Sequence, residues 1–574
     1  MKPVFSVDQI RRAENTLFEL QADPDELMIS AASAVADVAL AMVDGPAPAV
    51  SSEESILLLV GPGGNGGDAL YAGAFLAEEG HHVDALLLGN GKVHQSALAY
   101  YESLGGQIIS DFPPHYLYRL VIDGLFGIGG RGGLTPELAS LVESFSASGI
   151  PILAIDVPSG VHADSGELPP GVMVTVEGFD DDAPMARQKI PAHIDADVTI
   201  TFGGLRRAHA VSPACGEVLC ADINIAGGGG KSLSAELSQV QAEDATPQMF
   251  ASKAYQRKDS LFERANLKST APHIHRIGQH FTLLNMEPGP DHDKYSGGIV
   301  GIVAGSGTYP GAAVLSVKAA VRATSAMVRY VGPAVNFVIQ SLPEVVATQS
   351  LATVGRVQAW VHGPGRGLEA EQSAELAELL SRPEPVLIDA DSLSLLQLSA
   401  ELRQALRERK APTVLTPHKG EFERIAAELR SEGVEIPQAG KDPIGAAQAL
   451  AKEFDCCVLL KGKYTVIAAH DFVHAINAGH SWLATPGSGD VLSGLVGAHL
   501  AQSYAELNRL PEFFPDVTLS DSAIYTQIAP AATIHAVAAG LAARTEFGFA
   551  PTSASLIADA IPAATAKVDL KRIV

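Results

Sequence analysis

The sequence predicts an α/β protein of two successive domains, each built on a largely parallel sheet. Three observations predict it. Short apolar runs of strand length alternate with stretches of helical periodicity along most of the chain. Several of those runs end in a glycine-rich loop that carries an Asp or Asn, as strand ends do on one edge of a parallel sheet. The 574 residues exceed what a single core holds, and the glycine run at 227–230 marks a joint.

Val7 to Met42 has helical spacing, with Ile10, Ala13, Leu17 and Leu20 and then Leu27 to Val43, and predicts two helices. Ser55 to Val60 is a continuous apolar run that suits a buried strand. It leads into Gly61 to Asp68 (GPGGNGGD), a helix over Ala69 to Glu79 and a strand over Val83 to Leu88. That is one βαβ unit with a glycine loop at the end of its first strand. The loop's amides can hold phosphate, although it is neither a GxGxxG fingerprint nor a Walker loop. Leu120 to Asp123 runs into a second glycine loop, Gly124 to Gly133, and Ile152 to Asp156 runs into Val157 to Gly160. On a shared sheet edge Asn65, Asp123, Asp156 and Ser159 converge. Each acid alone reads more simply as a turn residue or helix cap. Val218 to Ile225 is strand-like, residues 227–241 form a flexible glycine-rich linker, and no element is predicted over 241–290.

In the second half, Ile299 to Ala304 predicts a strand, followed by Gly305 to Gly311 and a helix over Ala312 to Val328. Val357 to Val361 ends in His362 to Gly367 (HGPGRG), and Pro385 to Asp391 reads as a strand with an acidic end. Pro412 to Glu421 reads as strand, turn and helix start, and Cys457 to Ile467 as two strands around a turn. Thr485 to Gly494 (TPGSGDVLSG) reads as a tight turn opening a helix. Small residues there let backbone amides reach an anion, and the helix N-terminus favours negative charge. Taken together, Lys461 and the glycine amides would neutralise phosphate and Asp490 would take a proton from an attacking hydroxyl. Glu421 would position a magnesium ion through water. The simpler readings are a surface turn for His418, a helix-terminal charge for Glu421 and a solvated cation for Lys461.

Hydrophobic residues make up 47% and charged residues 18%, as in an ordinary globular protein. The net charge of −25 excludes nucleic acid or an anionic membrane as a general partner. Any anionic ligand then depends on local amides or lysines. Cys215, Cys220, Cys456 and Cys457 form no CxxC pair, which favours a reduced, cytoplasmic protein. No signal-peptide core and no run of 18 apolar residues is present, so no membrane span is expected.

The motifs GPGxNGGD, VIDxLFGIG and DVPSG, with VDQIRRAE and DADVTITFGG, resemble the N-terminal epimerase domain of the bifunctional NAD(P)H-hydrate repair enzymes over residues 1–226. The resemblance implies a Rossmann-like three-layer domain. It implies that Gly64, Asn65, Gly66, Gly67 and Asp68 bind the hydrated cofactor, together with Gly127, Ile128, Gly129, Gly130, Arg131, Gly132 and Gly133. It also implies a potassium ion on Asn65, Asp123 and Ser159, and contact of Asp156 with the substrate.

DxDxL, TPHxGEF, LLKGxxT, ATPGSGDVLSG, GSGTYPGAA and HGPGRG resemble the ADP- or ATP-dependent hydrate dehydratase, a ribokinase-like α/β domain, here assigned to residues 242–574. That resemblance implies nucleotide binding by Lys461, Gly462, Lys463, Tyr464, Thr465 and Gly489. It implies hydrate binding by Ala312, Gly367, His418 and Asp490, with Asp490 catalytic. It further implies ADP with Mg2+ as donor, ATP being the alternative, and a homo-oligomer.

The implied chemistry has a physical basis. The hydrate carries a hydroxyl on a carbon beside the ring nitrogen. Nitrogen lone-pair push expels it and leaves a planar cation, to which water returns from either face. A carboxylate, here Asp156, stabilises the cation and handles the proton. Dehydration is different, because hydroxyl leaves poorly until phosphorylation makes it a good leaving group. Two other classes fit the motifs less fully. One is a hydroxymethylpyrimidine- or sugar-type kinase with an attached nucleotide-binding domain, and the other is a non-catalytic nucleotide sensor.

Overall fold

A computed structural model describes residues 2–43, 55–88, 92–112, 114, 117–130, 132–176, 186–244, 247–255, 260–278, 293–513 and 522–569. The chain forms two compact units, Lys2–Thr246 with Arg257–Ile277, and Pro247–Gln256 with Gly278–Val574.

In the first unit an eight-stranded sheet runs Ile274–Arg276, Glu217–Ala221, Val198–Phe202, Ile152–Ile155, Tyr118–Gly124, Ser55–Val60, Val83–Leu87, Gln107–Ile109. All neighbours are parallel except Ile274–Arg276, which is antiparallel to Glu217–Ala221. Ile56, Leu58 and Val60 face the helices Val7–Leu20, Glu26–Val43 and Gly64–Glu78. Leu57 and Leu59 pack instead with Leu138, Leu141, Val142 and Phe145 of helix Pro136–Ala147. Burial on both faces explains why these strands read as unbroken apolar runs. The register sets Leu59 opposite Asp123 and Asp123 opposite Ala154, so the loops after these three strands leave from one edge.

The helix after the first glycine loop begins at Gly64 rather than Ala69, so the loop supplies the helix's own first turn. Close approach makes this possible: a Cβ on Gly66 would lie 2.1 Å from the Gly61 carbonyl oxygen. Helix Glu26–Val43 is 18 residues long with mean hydropathy 1.7, enough by length and composition alone to cross a membrane. Its Leu27, Ala31, Ala32, Val35, Val38 and Ala39 are buried in the core of the unit.

The joint differs from the flexible linker expected over 227–241. Gly227–Gly230 is a short helical turn, and Leu233–Glu243 is a helix whose Leu233, Leu237 and Val240 enter the first unit's core. Residues 242–574 are likewise not one continuous domain. Gln248–Lys253 joins the second unit's sheet, and the chain then returns to the first unit with Ile274–Arg276. Apolar residues at helical spacing, Leu233, Leu237 and Val240, override the glycines before them.

In the second unit the strands run Gln248–Lys253, Phe472–Asn477, Tyr464–Ala468, Cys457–Leu460, Thr413–Leu415, Val386–Ile388, Ala359–His362, Val300–Val303, Val328–Val331, Val346–Thr348. Cys457–Leu460, Tyr464–Ala468 and Phe472–Asn477 form an antiparallel meander, and the other pairs are parallel. The helix expected over Ala312 to Val328 spans Pro310–Ala323, and Val328 opens a strand. Helices Pro310–Ala323, Ser488–Phe513 and Ile528–Ala542 share one core. Ile528–Ala542 is buried at every position from Ile528 to Gly540, which matches its lack of a polar face.

Candidate functional sites

The exit edge of the first unit's sheet opens into a cavity of about 440 Å3. Of the residues read as binding the hydrate, Gly64, Asn65, Asp68, Gly127, Ile128, Gly129, Gly130 and Asp156 line it. Gly66 and Gly67 do not: they pack against Gly61 and Met28. Gly132 takes φ 92°, and Gly133 packs on Ala192, away from the cavity. Arg131 lies outside the described residues.

Beneath the cavity lies an oxygen-rich knot. The fully buried Asp123 accepts from Leu125 N at 3.2 Å and Ser159 Oγ at 2.7 Å on one oxygen, and from Ser159 N at 2.8 Å on the other. Ser159 Oγ accepts in turn from Phe126 N at 3.0 Å. Asn65 Nδ2 donates to the carbonyls of Ile155 at 2.7 Å and Phe126 at 3.2 Å. Burial pushes the Asp123 carboxyl up to about 6, against the pull of the Ser159 and Leu125 hydrogen bonds.

Asp156 holds a left-handed backbone, φ 64°, rare outside glycine. Such strain costs about 1–3 kcal/mol and persists only where neighbours enforce it. Here they do. Thr201 Oγ1 and Arg206 Nη2 each meet Asp156 Oδ1 at 2.9 Å, and His209 Nε2 meets the Asp156 carbonyl at 2.7 Å. His209 Nδ1 accepts from Arg206 N at 3.0 Å, so the proton sits on Nε2. Burial lowers the His209 imidazole to about 4 and keeps it neutral.

The sequence reading missed Glu14, Phe18 and Arg206, which also line this cavity. Glu14 and Phe18 are one helical turn apart on Val7–Leu20, a spacing that puts both on one face. Arg206, 1% exposed, also donates to the carbonyls of Phe202 and Gly204.

The second unit holds a cavity of about 450 Å3, lined by the expected His418, Lys461, Gly462, Lys463, Thr465 and Gly489. Ile476, Ala478, Leu483, Leu492, Ala532 and Ala536 give it an apolar wall. Tyr464 does not line it; its ring lies under Lys463 Nζ at 5.9 Å. His480 and His535 were missed as lining residues. His480 stands just ahead of the Thr485 glycine turn, which was the available signal, while His535 has no motif around it and only the fold brings it beside Ser488 Oγ at 3.1 Å.

Lys461 connects this cavity to an acidic cluster. Its Nζ lies 2.7 Å from Asp389 Oδ1 and 3.7 Å from Glu421 Oε2. Burial would lower the Lys461 ammonium, but the charges of Asp389, Glu421 and Asp490 hold it above its usual value. Ser493 Oγ donates to the other Asp389 oxygen at 2.6 Å. Asp490 stands in the first turn of helix Ser488–Phe513, and no hydrogen bond ties its carboxyl to a described residue. Burial and the charge of Asp389 push that carboxyl up to about 7, against the pull of Lys461.

His418 caps helix Lys419–Ser431: its Nδ1 accepts from Gly420 N at 2.9 Å, while Glu421 Oε2 accepts from His418 N at 2.8 Å. Gly367 N donates to Asp391 Oδ2 at 2.8 Å. Ala312 meets the neighbouring turn at Gly365, where a Cβ would lie 2.8 Å from its methyl. Ala312, Gly367 and Asp490 do not line the 450 Å3 cavity. Asp389 was read only as part of an acidic strand end; its place two residues before Asp391 in DxDxL was the available signal.

Comparison with known proteins bears on both units. A family model described as YjeF-related protein N-terminus matches residues 24–208, and one described as NAD(P)H-hydrate dehydratase matches 300–563. The bifunctional NAD(P)H-hydrate repair enzyme Nnr of Corynebacterium glutamicum is 99% identical over 574 residues, 100% of each chain. Its counterpart in Mycobacterium leprae is 38% identical over 503 residues, 87% of this chain and 89% of its own. The ADP/ATP-dependent NAD(P)H-hydrate dehydratase of Bacillus subtilis, solved with ATP/Mg2+, is 22% identical at TM-score 0.39 and covers 50% of this chain and 94% of its own.

Proposed function

The chain belongs to the family of bifunctional NAD(P)H-hydrate repair enzymes, and from that premise we propose that each cavity carries one of the two activities. The first cavity interconverts the R and S forms of NAD(P)H hydrate. The second unit dehydrates the S form to NAD(P)H at the expense of ADP, with release of AMP and phosphate. One observation carries the division: each unit has its own glycine-turn cavity, the first lined by Glu14, Asp68 and Asp156 and the second by Lys461, whose ammonium reaches Asp389 and Glu421.

In the first cavity Asp156, fixed by Thr201 and Arg206, faces the cationic ring that forms when the hydroxyl leaves. The amides of the helix start at Gly64 and of Gly127 to Gly130 suit the cofactor's phosphates. Potassium is assigned to Asn65, Asp123 and Ser159. The donor set supports it: a carboxylate, a hydroxyl and a side-chain amide, with the Phe126 carbonyl beside them, all offer hard oxygen. When bound, the cation would fix the loop that frames the hydrate.

In the second unit the apolar wall suits a nucleobase, and Lys461 with the amides around Gly489 suits the phosphates. Asp490 takes the proton of the hydrate's hydroxyl as its oxygen attacks the terminal phosphorus of ADP, and AMP leaves. The ring nitrogen then expels phosphate, and loss of a proton from the adjacent ring carbon to water completes the reduced nicotinamide. Mg2+ would be held chiefly by the nucleotide's phosphates and water, with Glu421 orienting that water. This fits the absence, among the described residues, of a His/Cys/Asp/Glu group built to hold a metal. The four cysteines are free and buried, which supports a reducing, cytoplasmic setting, and a homo-oligomer is part of the same proposal.

The test is purified S hydrate with Mg2+ and either ADP or ATP. Reduced nicotinamide and AMP appearing in equal amounts with ADP is the expected result. A stable phosphorylated product without reduced nicotinamide would make the second unit a small-molecule kinase instead.

A further inference from the structure

We propose that Glu14 is a catalytic acid–base of the epimerisation, giving a proton to the departing hydroxyl and taking one back when water returns. The proposal rests on reading the first cavity as the epimerase site.

Two acts are required of that cavity: stabilising a cation and moving a proton. Asp156 suits only the first. Its Oδ1 already accepts from Thr201 Oγ1 and from the buried Arg206 guanidinium, both at 2.9 Å. A carboxylate so held keeps its orientation, and that oxygen is already engaged. Glu14 is placed differently. It lines the same cavity from the facing helix Val7–Leu20, is half-buried, and forms no hydrogen bond or ion pair with a described residue. A carboxyl in that position is free to meet a ligand and is poorly solvated as an anion.

The groups that face it are Asp156, Asp68, Arg206 and Arg11. Burial, with the charge of Asp156, pushes Glu14 up to about 7 while Arg206 and Arg11 pull it down. Near neutral pH it therefore exists in both protonation states, which suits a group that must donate and accept in turn. Asp68 lines the cavity too, also without a hydrogen bond or ion pair to a described residue, but burial and the charges of Asp156 and Glu14 drive it well above the usual carboxylate range. That environment disfavours its charged form, so it suits donating a hydrogen bond better than alternating.

The step balances. The C–O bond beside the ring nitrogen breaks and its electron pair goes to oxygen. The nitrogen lone pair closes a C=N bond, and the Glu14 proton joins the departing oxygen, which leaves as water. On return to the opposite face, water oxygen forms the new C–O bond and the C=N pair goes back to nitrogen. The surplus proton reaches the Glu14 carboxylate through water. No proton or electron is consumed overall.

The experiment compares Glu14→Gln, Glu14→Asp and Asp156→Asn in the full chain. It follows interconversion of purified R hydrate across pH, with dehydration of S hydrate as the folding control. Glu14→Gln is expected to lower kcat for epimerisation about a hundredfold, leave KM within about threefold and remove the rate's dependence on pH near neutrality. Glu14→Asp is expected to recover part of the rate. Wild-type kcat and pH profile in Glu14→Gln, with Asp156→Asn inactive, would overturn the proposal alone. An equal fall in both Glu14 variants with an unaltered pH profile would also overturn it, marking Glu14 as a packing residue. Full epimerisation by Asp156→Asn would remove the cavity's assignment and the proposal with it.

Discussion

Lys461 Nζ stands 2.7 Å from Asp389 Oδ1, and Asp389 is 1% exposed. The pair joins the wall of the second unit's cavity to the acid at the helix start, since Asp389 also raises Asp490 by its charge. One buried carboxylate thus orients the cation proposed to hold phosphate and raises the carboxyl proposed as the base.

Replacing Asp389 with Asn separates these roles. The shape survives, but Lys461 keeps only the more distant Glu421 at 3.7 Å. KM for ADP is expected to rise by about tenfold, the scale of one lost charge-assisted bond. The same variant should shift the pH limb of dehydration to lower pH, because the like charge that raises Asp490 is gone. Steady-state kinetics across pH read both. A limb that stays in place would deny the coupling.

Lys461→Met tests the cation itself. Its loss leaves Asp389 buried without its charge partner, a defect that costs about 3–5 kcal/mol where no other group compensates. A lower melting temperature and a fall of about a hundredfold or more in kcat/KM for dehydration are expected. Pairing it with Asp389→Asn should restore much of the stability but not the activity. Calorimetry and the dehydration assay separate the two effects.

Wild-type dehydration should depend on pH in a definite direction. Asp490 would act as a base only when deprotonated, and burial with the charge of Asp389 pushes its carboxyl up to about 7. The rate should therefore climb as pH rises through about 7 and level off above it. A rate already flat from pH 5 upward would mean that Asp490 is not the group titrating.

Much of this was legible because parallel strands buried on both faces leave plain apolar runs, and their exits leave glycine and acid. Asn65, Asp123, Asp156 and Ser159 were found that way. Glu14 and Arg206 were not, since neither follows a glycine loop; helix packing and a buried carbonyl network bring them in. The crossing between units was hidden for another reason. Four glycines suggested a linker, while the helical spacing of Leu233, Leu237 and Val240 just after them decided the structure. Strand Gln248–Lys253 lacks any motif and is fixed by pairing with Phe472–Asn477, over 200 residues away.

The potassium assignment predicts a cation-specific defect. Asp123→Asn removes the only charge in the knot formed with Ser159 and Leu125. Epimerisation by this variant should lose its response to potassium, whereas dehydration should not change. Titration with KCl against a choline salt measures it, and a wild-type response would remove Asp123 from the site.

The most direct measurement follows a mixture of R and S hydrate with ADP and Mg2+, monitored by reduced nicotinamide and by chiral separation of the remaining hydrate. Wild type should convert all of it. Asp156→Asn should consume the S form and leave the R form behind. Asp490→Asn should restore no cofactor, with dehydration lowered about a thousandfold or more, yet still interconvert the epimers at the normal rate. Loss of both activities in either variant, with folding intact, would contradict two independent sites.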